Sequence, residues 1–231
     1  DDEGYESLEH LMRIIECFVM RVALCTIPRN ATLGLYATVS QLANQILHHG
    51  INEETIRDIS DQYENHEYMP ENLAILSNQA FKFADNAVGN TLLCSAFYAL
   101  EGIPGSPFRA GVGSRNVRKI TPLMPRFSPY AYELNQIWNY GGERNNLANF
   151  SKTIGNFFLL SGDRGDIREI TKLDITERIR RFSNRSAGMN NTGAPYLSHD
   201  WSYVNIEDRN DAMISLLEER FPHDCWLPEN E

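Results

Sequence analysis

Five prolines, Pro104, Pro107, Pro122, Pro125 and Pro129, divide this 231-residue chain. A ring that fixes φ and removes an N–H cannot lie within a continuous helix. The surrounding stretch, Gly102 to Ser128, is rich in Gly, Pro, Ser and Arg. It reads as a long surface loop or as the entry to a second subdomain.

The first hundred residues read as helices. Leu8, Leu11, Met12, Ile15, Phe18, Val19 and Val22 recur at three- and four-residue steps, the spacing of one buried helical face. A second stripe runs through Leu35, Tyr36, Val39, Leu42, Ile46 and Leu47, with Asn30 placed as its cap and Gly50 as its stop. Asn52 can cap a third helix with Ile56, Ile59 and Tyr63 inward. Pro70 suits the first turn of a fourth, carrying Leu73, Leu76 and Phe81. A fifth passes through Leu92, Leu93, Ala96, Phe97 and Leu100 and ends at Gly102. The expectation is a mainly α protein whose residues 1–102 form a helical bundle.

Downstream, helical pattern returns over Tyr132–Tyr140. The run Ile154–Leu160 is too short and apolar to assign by periodicity. Asp174-Ile175-Thr176-Glu177 is a capping box that opens a helix to about Asn184. Residues 186–198 read as loop, and a last helix is expected from Asn205 to Phe221 with Ile206, Met213, Leu216 and Leu217 inward.

The net charge of −10 argues against a surface that binds nucleic acid everywhere. The distribution is uneven, however. No acidic residue occurs between Glu101 and Glu133, where Arg109, Arg115, Arg118, Lys119 and Arg126 lie. A second basic run holds Arg164, Arg168, Lys172, Arg178, Arg180, Arg181 and Arg185, diluted by Asp163, Asp166, Glu169, Asp174 and Glu177. One reading is a solvated loop and a salt-bridged helix. The other is a local phosphate-binding face, with Arg115, Arg118, Lys119, Arg126, Arg168 and Lys172 as its contacts. Cys17, Cys25, Cys94 and Cys225 lack metal-ligand spacing, so a zinc or disulfide framework is not expected and a cytoplasmic setting is. No apolar run approaches the ~18 residues of a membrane span. The opening Asp1-Asp2-Glu3-Gly4 reads as a cut from a longer chain. Triads of Ser, Cys and His, glycine-rich phosphate loops and nucleotide signatures are absent from the sequence.

Several segments, taken in order, resemble the C-terminal region of GmrSD-type restriction enzymes. Phe18-Val19-Met20-Arg21-Val22-Ala23-Leu24-Cys25 is similar to a helix that precedes the HNH-nuclease domain of that family. Lys119-Ile120-Thr121-Pro122-Leu123-Met124-Pro125 resembles its "T-I-E-H-I-M-P" segment. Thr153-Ile154-Gly155-Asn156-Phe157-Phe158-Leu159-Leu160-Ser161 resembles "L-G-N-L-T-L-L-S", and Trp201, Ile206, Arg209, Leu216 and Trp226 follow its closing helix. The resemblance implies that residues 103–231 form an HNH-like ββα subdomain embedded in helices. It implies a prokaryotic anti-phage restriction system, with a ParB-like nucleotide-hydrolysing domain or subunit as partner and duplex DNA as target.

An HNH nuclease needs a histidine base, an asparagine that positions it, and a divalent metal at the phosphate. Asn156 matches the asparagine, but Pro122 stands at the histidine position and Thr121 at the preceding acid. No histidine falls between Glu67 and Ser198. Loss of a general base lowers rate by ~10²–10⁴. The resemblance therefore implies a scaffold without its catalytic histidine and with no cofactor in this chain, kept for DNA contact or partner docking. Two alternatives stand beside it. One is a rearranged Mg²⁺- or Mn²⁺-dependent nuclease using Asn156, Asp163 and Asp166; the other is a protein-interaction module of a defence complex.

Overall fold

The computed structural model describes residues 2–25, 31–67, 69–77, 80, 87–103, 116–124, 152–170, 172–186, 189–193, 197 and 203–224. The chain divides into two compact units, Asp1–Leu73 with Leu217–Glu231, and Ala74–Leu216. The expected boundary near Gly102 therefore falls inside the second unit. The protein is mainly helical, with one small two-stranded sheet among the described residues.

In the first unit, α1 (Asp2–Cys25), α2 (Ala31–His49) and α3 (Glu53–Glu64) pack around Leu11, Ile14, Phe18, Val22, Leu42, Ile56, Ile59 and Tyr63. The Phe18 and Tyr63 rings stack at 4.1 Å between centroids. The buried face of α1 differs from the expected stripe. Leu8 and Met12 are exposed, while Ile14 is covered. The sequence of α1 carries two overlapping apolar faces, and its partners cover the one on which Leu11, Ile14, Phe18 and Arg21 recur. On α2, Leu42 is buried and Ile46 packs beside it, whereas Val39 and Leu47 are exposed.

The helix ends follow local chemistry. The Asn52 side chain accepts the Thr55 amide at 2.9 Å and caps α3. Gly50 follows α2 with φ of 76°, a left-handed conformation that suits a residue without Cβ. Residues 70–75 are bends and turns, so helix begins at Leu76 and not at Pro70, while Leu73 and Leu76 are buried as expected and Phe81 lies outside the described residues. Arg21, buried within α1, donates to the carbonyls of Pro70 (2.9 Å), Glu71 (2.8 Å) and Phe221 (2.7 Å). It thereby holds this turn and the end of the last helix.

The second unit contains α4 (Ala87–Leu100), β1 (Asn116–Pro122), β2 (Phe157–Asp163), α5 (Arg164–Ile170), α6 (Ile175–Arg185) and most of α7 (Tyr203–Arg220). α4 is stopped by Gly102, φ of 60°, whose amide bonds to the Ala99 carbonyl while that of Ile103 reaches the Tyr98 carbonyl, the two bonds of a Schellman stop. β1 lies in the stretch read as a long surface loop or the entry to a second subdomain. It pairs antiparallel with β2 from Asn116↔Asp163 to Pro122↔Phe157, and Pro122 is accommodated as the last strand residue. Phe157, Phe158, Leu159 and Leu160 are all buried, so both sheet faces are covered. This explains why the run showed no alternation. Phe158 and Leu160 pack with Leu123, Met124, Ile167, Ile170, Ile179, Phe182 and Ile206. Asp174 accepts the Glu177 amide at 3.0 Å and caps α6, as the capping box predicts. The helix expected over 132–140 lies outside the described residues.

Candidate functional site

Two of the segments that resemble the family, Lys119–Met124 and Thr153–Ser161, meet at the end of the hairpin. After Pro122, the strand pairing continues one step, because the Leu123 amide donates to the Asn156 carbonyl at 2.8 Å. The Asn156 side chain then adds another rung. Its Oδ1 accepts the Met124 amide at 2.8 Å and its Nδ2 donates to the Met124 carbonyl at 2.9 Å. The side chain is 0 % exposed. An amide is the one uncharged side chain that presents donor and acceptor together in this way. Asn156 thus acts as a piece of backbone, holding residues 122–124 against the 154–156 turn.

Gly155 explains the other half of the Gly-Asn pair. A Cβ there would collide with the Ile206 carbonyl oxygen and stand 2.8 Å from the Asn210 amide nitrogen, both backbone atoms of α7. The turn approaches the helix too closely for any side chain.

A buried guanidinium from the same turn of α7 joins this network. Arg209 donates to the carbonyls of Gly155 (2.6 Å), Ile154 (3.2 Å) and Thr192 (2.5 Å), and its Cζ sits 3.8 Å from the Phe158 ring centroid. Across the 189–193 turn, the Glu101 carboxylate accepts the amides of Asn191 and Thr192 and the Thr192 hydroxyl. Arg178, also buried, donates to Leu123 (2.8 Å) and Leu173 (2.7 Å). In the sequence, Arg178 falls in the second basic run, read as a salt-bridged helix or a phosphate-binding face, and Arg209, Arg21 and Glu101 carry no expected role. A usable signal existed for the arginines. Arg21 follows Leu11, Ile14 and Phe18 in helical register, Arg178 adjoins Ile175, Ile179 and Phe182, and Arg209 lies between Ile206 and Met213.

The hairpin end offers no titratable side chain among Thr121, Pro122, Leu123, Met124 and Asn156. The two candidate carboxylates are otherwise engaged. Asp163 Oδ1 accepts the Gly165 amide at 2.7 Å in the first turn of α5, and Asp166 pairs with Arg185 at 2.9 Å. No group of three or more His, Cys, Asp or Glu able to hold a metal occurs among the described residues.

Of the candidate phosphate contacts, Lys119 is exposed on β1 and Arg168 is exposed on α5. Lys172 is exposed and pairs with Glu169 at 2.7 Å. Arg118 stands opposite Ser161 in the strand register. Arg115 and Arg126 lie outside the described residues. In the second basic run, Arg180 and Arg181 share one carboxylate, Glu177, at 2.5 and 2.8 Å. Hydrogen bonds from Arg180 first and Arg181 second hold the Glu177 carboxyl down to about 2. Burial pushes the Cys94 thiol up to about 11, and Cys25 likewise.

No protein-family profile matches the chain, and no curated protein or solved structure matches it either. No helix among the described residues is long and apolar enough to cross a membrane.

Proposed function

We propose that the second unit is an HNH-like scaffold without a general base, part of an anti-phage restriction system, which contacts duplex DNA through the basic stretch that includes β1. The observation that carries this reading is the Asn156 lock. The 122–124 and 154–156 segments, which carry the family resemblance, are joined by that buried amide together with the Leu123–Asn156 backbone bond, and α7 holds the second of them through Arg209. The strand, strand, helix order of β1, β2 and α5 is what such a scaffold requires. Pro122 occupies the place of the base and supplies neither a proton acceptor nor a ligand. A rearranged nuclease using Asn156, Asp163 and Asp166 is disfavoured by Asn156, whose buried side-chain amide is committed to the Met124 backbone. A ParB-like nucleotide-hydrolysing domain or subunit would supply the system's energy-consuming step.

The test is a gel-shift titration of duplex DNA at several salt concentrations, with cleavage followed in Mg²⁺ and in Mn²⁺. Binding should weaken steeply with salt and no nicking should accompany it. Changing Arg115, Arg118 and Lys119 together to Ala should abolish binding at moderate salt and lower the salt slope by up to about 0.9 per lost phosphate contact. Unchanged binding by this triple variant would remove the stretch as the interface. Metal-dependent nicking abolished by Asn156→Ala in a folded protein would favour the nuclease instead.

One observation favours a second reading, docking of another defence protein by the helical unit. Tyr5, Leu8 and Met12 are exposed along α1 at helical spacing. Co-purification with the neighbouring component of the system, lost on Leu8→Asp, is its signature.

A further inference from the structure

The two basic runs, separate in sequence, come together at the open end of the hairpin. Arg185 closes α6, and its carbonyl accepts the Ser161 hydroxyl at 3.2 Å. Its guanidinium lies over Gly162, where an added Cβ would stand 2.6 Å from Nη1. Ser161 and Gly162 are the register partners of Arg118 and Val117. Arg185 is therefore one cross-strand step, roughly 5 Å of backbone, from the acid-free basic strand. Arg168 and Lys172, the residues first expected to extend the basic face, lie on or beyond α5 instead.

Arg185 is not simply available there. Asp166 holds it at 2.9 Å, with side-chain exposures of 32 % for the arginine and 60 % for the aspartate. A pair this open to water contributes little, on the order of a fivefold preference at most. A phosphate diester offers the same fork of planar N–H donors two acceptor oxygens. It can thus replace a carboxylate so weakly held.

We propose that Arg185 is a phosphate contact of the nucleic-acid face and that Asp166 is its latch, a carboxylate occupying the arginine until a backbone phosphate displaces it. This rests on the DNA-contact reading above. It deepens that reading by assigning Arg185 as a contact and giving Asp166 a restraining role in place of a catalytic one. Gly162 is part of the device, because a side chain at that position would lift the guanidinium off the strand.

The experiment is a double-variant cycle on the full chain, read as duplex DNA affinity by fluorescence anisotropy at two salt concentrations. Asp166→Asn should tighten binding several-fold. Arg185→Gln should weaken it and reduce the salt slope by about one. In the Arg185→Gln background, Asp166→Asn should have no further effect. An equal gain from Asp166→Asn in both backgrounds would mean a general charge effect, and the latch is then wrong. Parent-like affinity in Arg185→Gln would also overturn it. If the parent binds no duplex at any salt, the DNA-contact reading fails and this inference goes with it. Binding that is lost in the triple Arg115/Arg118/Lys119 variant but unaltered in the cycle overturns the latch alone. Far-UV circular dichroism of each variant checks that α6 is retained.

Discussion

Replacing Asn156 by Ala isolates the contribution of the lock. The change deletes an acceptor 2.8 Å from the Met124 amide and a donor 2.9 Å from its carbonyl, in a site with no solvent access. Each buried backbone group left without a partner costs about 1–3 kcal/mol, so the pair amounts to roughly 2–6 kcal/mol. A loss of about 3 kcal/mol, in the lower half of that range, corresponds to a factor of ~150 in the opening equilibrium. Amide hydrogen exchange at Met124, with urea unfolding followed by circular dichroism, measures both the local and the global effect. Exchange at Met124 should accelerate by about that factor, and the unfolding midpoint should fall. Asn156→Asp should be worse at neutral pH, because a carboxylate faces the Met124 carbonyl without a proton to give. Burial raises that carboxyl's folded-state pKa above its unfolded value near 3.9, so the deficit should shrink as pH falls toward that value. If Asn156→Ala leaves Met124 protection within about threefold of the parent, the side chain is not holding the segment and the reasoning fails.

Gly155→Ala should destabilise the second unit by about 1–3 kcal/mol or more, since the clash is with α7 backbone that cannot rotate away; a urea midpoint equal to the parent's would contradict the close approach. The Glu177 carboxyl should titrate near 2 by NMR and return toward its ordinary value in Arg180→Ala. Because its folded value lies below the unfolded one, the contribution to stability is present above about 4.5 and fades as pH drops toward 2. Cys94 and Cys25, with thiols near 11, should resist alkylation by iodoacetamide at pH 8 while the protein is folded and react once it is unfolded in urea. Rapid labelling in the native state would show that their burial is transient.

What could be read from sequence was local chemistry. Asn52, Asp174, Gly50 and Gly102 act through their own neighbours, and each terminates a helix where its residue type suggested. The α1 face was misjudged because its apolar residues outnumber those its partners can cover; which subset is buried depends on α2 and α3. β1 was hidden because its pairing partner lies some forty residues away and its own composition is basic and proline-flanked. The same long-range pairing settled the ambiguous run from Phe157. For the site, Asn156 was found, but its use was not: a catalytic asparagine and a backbone-mimicking one are identical in sequence. Buried arginines were missed for a related reason. Their partners are carbonyls, which carry no letter in a sequence.

The division of the chain gives the Arg21 clamp a consequence for synthesis. Its partners at Pro70 and Glu71 emerge early, but its third, Phe221, belongs to the segment 217–231, made after all of the second unit. On the ribosome, the second unit is continuous and its residues are all present first, while the first unit waits with Arg21 short of a carbonyl until the end of α7 from Leu217, with Phe221 after it, arrives. A truncation just before Leu217 therefore injures the opposite end of the polypeptide from the one that was cut. The N-terminal helices lose their closing contact, although every residue of their own sequence is intact.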